Sequence, residues 1–303
     1  MDRISDIKRV TVAGLLINLG LCIAKLTAGV VGNSQSVIAD GIHSISDMIT
    51  DMAVLVGARF WLEPADQRHP YGHARIENMV ALGMAYVLAG VAAGLVISAL
   101  SSLRTHATVR PGWIAFAAAI LSLVVKEVLY RWTVRVGTRV KSPAVVANAW
   151  HHRSDAMSSI PAAIAVAGAR LAPGWDFLDH VGSIVVSLFI VKAAWDIGSS
   201  AFDTLTDRGA PSATVEEIYR LAVADPDVES VHRVRTRRMG YGWYVDLHLL
   251  VDGLLPVWQG HDIATRVHDE LLEKGPGIMD VLVHVEPAAA NPTARSGAPM
   301  ADD

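Results

Sequence analysis

The chain is short of charge and of cysteine, and each shortage excludes something. Asp, Glu, Lys and Arg make up 18% of the 303 residues and hydrophobic side chains 52%, with a mean hydropathy of +0.35. A soluble domain carries about 25% charged residues, so the composition indicates a polytopic membrane protein. Cys22 is the sole cysteine and lies in an apolar run, which excludes an internal disulfide and a cysteine-built zinc site within one chain. There is no long basic run and the formal net charge is −4, so nucleic acid is not an expected partner. The first apolar run ends without a small-residue cleavage motif, so it reads as a transmembrane helix and not as a signal peptide.

What is present is a series of apolar segments, each near the ~20 residues that cross a bilayer. They fall at roughly 10–32, 35–61, 77–101, 112–133, 146–171 and 177–199, which predicts six transmembrane helices within a domain over 1–207. Basic residues orient them. "MDRISDIKR", "ARFWLEPADQRHPYGHAR" and "YRWTVRVGTRVK" are the Lys- and Arg-rich flanks, whereas "VGNSQS" has neither residue. That bias places the N-terminus, and with an even number of spans the C-terminus, in the cytoplasm.

After about residue 208 the pattern changes. "SATVEEIYRLAVADP" has helical periodicity, "VESVHRVRTRRMG" and "GWYVDLHLLVD" alternate about a "GYG" turn, "PVWQGHDIATRVHDELLEK" is amphipathic, and "IMDVLVHVEP" alternates again. The order αββαβ predicts a small α+β domain over 208–287 with its helices on one face of a sheet. Residues 288–303, small, polar and proline-bearing, read as a disordered tail.

Ionisable residues inside the spans are costly and therefore point to function. In the second span "ADGIHSISDMITD" sets His43 and Asp47 four residues apart, on one helical face about one turn from each other. In the fifth span "HHRSD" repeats the spacing with His151 and Asp155. Two nitrogens and two oxygens from two helices can form a tetrahedron, which suits Zn²⁺. His152 also reaches the face of Asp155 at i to i+3; the matched spacing favours His151. Asp40 and Asp51 flank the first pair, either as helix-end polarity or as guides for cations.

With "SVIADGIHSISD", "PADQRHPYGHARIE", "HHRSD" and "VLVHVEP", the sequence resembles the cation diffusion facilitator family over nearly its whole length. The resemblance implies a zinc/proton antiporter of the inner (plasma) membrane, a homodimer with a cytoplasmic, metallochaperone-like domain. It implies transport of a divalent cation, Zn²⁺ above all, through His43, Asp47, His151 and Asp155, in exchange for protons. It maps a second zinc site onto Asp66, His69 and His73, and a regulatory one onto His232, His248, His261, His284 and Glu286. It pairs Arg75 with Asp207 near the membrane surface at the dimer interface. "HVE" departs from the family's common His-x-Asp ending, and arginine at 75 from its common lysine. Other readings are a non-transporting membrane metal sensor or dimerisation partner, and a carrier of Fe²⁺, Mn²⁺ or Cd²⁺. A membrane metalloenzyme is disfavoured because the chain has no HExxH.

Overall fold

A computed structural model describes residues 3–61, 63–105, 110–139 and 143–288. The side chains of Asp51 and His151, and all but the first residue of the expected tail, lie outside the described residues. Six long helices come first: α1 (Arg3–Val31), α2 (Gln35–Trp61), α3 (Arg75–Arg104), α4 (Trp113–Arg139), α5 (Pro143–Leu171) and α6 (Phe177–Leu205). They match the six apolar segments and extend several of them, α1, α4 and α6 most clearly. By length and composition α1, α3, α4 and α6 can each cross a membrane. Over the described residues, the two helices that carry the His/Asp pairs, α2 and α5, are not among these four.

The chain divides into two compact units, residues 1–59 with 80–199 and residues 60–79 with 200–303. The first unit is apolar outside and polar inside. Leu16, Tyr86, Val128, Ile164 and Trp195 are exposed on its helices, while Lys25, Asp40, Lys126 and Asp155 are buried. Lipid provides no hydrophobic drive between helices, so they associate through small residues and hydrogen bonds. One cluster accordingly joins Ala39, Ala115, Ala119, Ala162 and Ala163 to Val37, Val166 and Val186. The contact between α5 and α6 is so close that a Cβ on Gly182 would stand 2.3 Å from the Cβ of Ala165.

The start of α2 is fixed by a carboxylate from another helix. Asp179, near the beginning of α6 and 1% exposed, accepts hydrogen bonds from the Ser34 hydroxyl at 2.7 Å, the Ser36 hydroxyl at 2.6 Å and the Gln35 amide at 2.6 Å. A negative charge there satisfies first-turn donors and complements the helix dipole. The Gln35 side chain extends the junction, its Nε2 donating to Ser102 of α3 at 2.8 Å and its Oε1 lying 2.8 Å from His180 Nδ1.

The second unit contains the predicted αββαβ order: α7 (Ser212–Ala222), β1 (Ser230–Met239), β2 (Gly242–Asp252), α8 (Val257–Lys274) and β3 (Ile278–Ala288). The strand order is β1-β2-β3, β1 running antiparallel to β2 and β2 parallel to β3. Alternation along β2 sends Val245, Leu247, Leu249 and Val251 into a core with Ile218 of α7 and Ile263, Val267 and Leu271 of α8. His248 and Leu250 therefore stand on the opposite face of the sheet. Gly240, at φ +57°, closes the β1–β2 turn.

Candidate functional site

Three groups of metal-ligating residues were expected. In the first unit, α2 puts His43 Nε2 3.9 Å from Asp47 Oδ2, the one-turn neighbours that the helical period requires. His43 is 8% exposed, and its Nδ1 is buried without a hydrogen-bond partner among the described residues. A buried ring nitrogen in that state is either costly or waiting for a ligand. Asp155 on α5 is also buried, at 6%.

The alternative imidazole on α5, that of His152, is buried as well. A Cβ on Gly14 of α1 would stand 3.3 Å from His152 Nε2, and Leu129 of α4 borders the same spot. Asn148 lies 3.4 Å from that nitrogen. Asp40 is committed too, paired with Lys25 Nζ at 2.8 Å. Lys25 also donates to Ser44 at 3.2 Å and to Ser159 at 2.9 Å, tying α1 to α2 and α5.

Sequence reasoning passed over both buried lysines, Lys25 and Lys126 of α4, the latter 3.4 Å from Asp155 Oδ2. The signal was available, because a lysine amid "LGLCIAKLTAG" or "LSLVVKEVLY" is as costly in a span as an aspartate.

The loop before α3 forms the second group. Asp66 Oδ1 accepts from the amides of His69 at 2.6 Å and Arg68 at 2.7 Å, a turn in which a short side chain caps its own backbone. Those two amides, that of His69 foremost, hold the Asp66 carboxyl below its ordinary pKa. The rings of His69 and His73 lie 4.2 Å apart, and His73 Nε2 is 3.7 Å from Asp66 Oδ2. One ligand atom from each of the three falls within 4.8 Å of the others. His73 Nδ1 is buried with no partner among the described residues.

The third group is a product of strand register. His232 on β1 pairs with His248 on β2, and His248 with His284 on β3. Three imidazoles thus cross the sheet in one row, on the face away from the helices. Glu286, two residues beyond His284, shares that face. Its Oε1 is 2.8 Å from His248 Nδ1 and 3.5 Å from His284 Nε2, and its Oε2 is 3.3 Å from His232 Nε2. The hydrogen bond with His248, aided by the neighbouring imidazoles, lowers the Glu286 pKa. His232, His248 and Glu286 offer ligand atoms within 4.8 Å of one another. His284 is more exposed, at 62% of its side chain, with its ring 4.7 Å from that of His248. The fifth expected residue, His261 on α8, is exposed and stands outside the row.

The expected charge pair forms within one chain, Arg75 Nη2 donating to Asp207 Oδ1 at 2.7 Å. Asp207 takes a left-handed conformation, φ 56°, just after α6, and this turns its carboxylate back to the start of α3.

Comparison with known proteins agrees with this layout. Residues 11–206 match the family model described as the cation efflux transmembrane domain. Residues 210–288 match that of the cation efflux protein, cytoplasmic domain. The chain is 34% identical over 290 residues to metal tolerance protein C1 of Arabidopsis thaliana, covering 91% of this chain and 61% of that one. It is 32% identical over 285 residues to manganese efflux system protein MneP of Bacillus subtilis, covering 92% of this chain and 96% of that one. With cation-efflux pump FieF of Serratia proteamaculans it shares 30% identity over 280 residues, 91% of each chain.

Proposed function

Because the chain belongs to the cation diffusion facilitator family, we propose that it carries divalent metal cations, Zn²⁺ foremost, out of the cytoplasm in exchange for protons. It works as a homodimer in the inner membrane with both termini cytoplasmic. The observation that supports this best is the pair on α2, His43 buried and Asp47 half-buried beside it, with His43 Nδ1 lacking a partner among the described residues. Asp155 and His151 on α5 complete the site in this reading. Two imidazoles and two carboxylates suit zinc better than manganese, which prefers oxygen. The manganese named for the Bacillus relative is the competing cargo.

Exchange follows from the ligand chemistry. An imidazole must be neutral to hold a metal, so ion and proton exclude one another at His43 and His151. Histidine titrates near pH ~6.5 when unperturbed, within reach of physiological gradients. Acid on the outer side would expel the ion, and loss of the proton toward the cytoplasm would readmit another. The loop and sheet groups bind zinc as regulators in this scheme, drawing the two cytoplasmic domains of the dimer together.

Flux in proteoliposomes with an imposed pH gradient tests the reading. Zinc should move faster than Mn²⁺, Fe²⁺ or Cd²⁺, and collapse of the gradient should stop its accumulation. Flux indifferent to the gradient would leave a uniporter, and preference for manganese would reassign the cargo.

A further inference from the structure

The two buried lysines of the membrane unit are held very differently. Lys25 is a strut, contacting Asp40, Ser44 and Ser159 at 2.8, 3.2 and 2.9 Å and joining three helices. Lys126 is 3% exposed, and the partner described for it is Asp155, with Nζ 3.4 Å from Oδ2, longer than any contact of Lys25. An ammonium buried in a membrane needs an anion beside it. A doubly charged metal on Asp155 would face that ammonium across one carboxylate, a repulsion that water cannot screen inside the unit.

We propose that Lys126 is a tethered cation that occupies Asp155 while the transport site is empty, and that an arriving metal displaces it. This rests on the reading of Asp155 as a metal ligand. The displaced ammonium has a place to go. Side chains on a helix lean toward its N-terminus, so Lys126 lies over the preceding turn. There, four residues back, stands Ser122, 0% exposed, its hydroxyl without a hydrogen-bond partner among the described residues. The lysine lowers metal affinity in proportion to the cost of displacing it, and its return to Asp155 helps release the ion. A carrier needs that balance, because a site that binds too tightly does not turn over.

Equilibrium zinc binding to the full-length protein tests this, in a background carrying His73→Ala and His248→Ala to silence the loop and sheet groups. Lys126→Met, which keeps the length and removes the charge, should tighten binding at the membrane site by about ten-fold or more and slow zinc release from proteoliposomes. Lys126→Arg should hold affinity near that of the background, and Ser122→Ala should weaken it. A lysine with only a structural role would lower affinity when removed, so weaker or unchanged binding in Lys126→Met overturns the proposal. Should that protein not fold, Lys126→Gln gives the same test with the same outcomes. Asp155→Asn separates the two levels of inference. If it binds zinc as the background does, the site assignment itself fails and the lysine's role with it.

Discussion

Both units bury apolar side chains, but among the described residues only the helical one also buries charged and polar side chains. Every buried polar or charged side chain among the described residues lies between Lys25 and Ser187, in the helical unit, while the sheet's core is wholly apolar. Water drives apolar groups inward in one unit. Lipid leaves them outside in the other and makes polar partners the internal contacts. The candidate ligand groups follow the same division. His43, Asp155 and their neighbours are enclosed, whereas the row from His232 to His284 lies on an open sheet face. An enclosed site can exclude water and hold an ion in transit, and an open face can sample the free metal around it.

The contrast is broken most sharply by Asp155→Ala. It should abolish zinc flux in proteoliposomes, a drop of at least about a hundred-fold if the ligand set has no spare, while the full-length variant still binds zinc at its sheet group. Wild-type flux in that variant would remove α5 from the site. His248→Ala tests the converse. It should erase the zinc-induced rise in melting temperature of a fragment spanning 208–288, which in the parent grows with free metal as mass action requires, and should slow full-length flux by only a few-fold. A complete loss of flux would make the sheet group part of the conduction path.

The smallest effect concerns protons alone. Glu286 has its pKa lowered in the folded domain, so the stability it contributes is present above the ordinary carboxylate range and is lost as pH falls through the lower folded value. The metal-free fragment should therefore melt progressively earlier as pH drops below about 4.3, and Glu286→Gln should flatten part of that slope. An identical slope in both proteins would show that the carboxylate is not paired with His248 in solution.

The closeness of His43 and Asp47 was legible because a period of 3.6 turns sequence spacing directly into adjacency. Spacing alone could not separate His151 from His152. The face of α5 toward Gly14 and Leu129 becomes known only once α1 and α4 are packed. The sheet row was less legible. Its alignment depends on a bulge between His232 and Arg235, with Arg233 at φ 49°, and one residue of slip would have sent the histidine to the other face. The resemblance supplied those residues, His261 included, without the register that unites three of the histidines and leaves His261 apart. Lys126 was not legible beside Asp155 because a lysine belongs to no metal-ligating motif and its approach to α5 depends on how α4 packs.

The carboxylate of Asp179 makes the beginning of α2 a pivot. Held there by the amide of Gln35 and the hydroxyls of Ser34 and Ser36, and tied to α1 by Lys25 at Asp40 and Ser44, a rod of 27 residues that tilted about its start would move most at its other end. Asp47 stands about 18 Å along that rod and Trp61 about 39 Å, at 1.5 Å of rise per residue. A tilt of about 10° would then shift Asp47 by about 3 Å and Trp61 by about 7 Å. Such a tilt would carry the His43 and Asp47 pair by roughly one ligand spacing and the Trp61 end by more than the width of a water molecule.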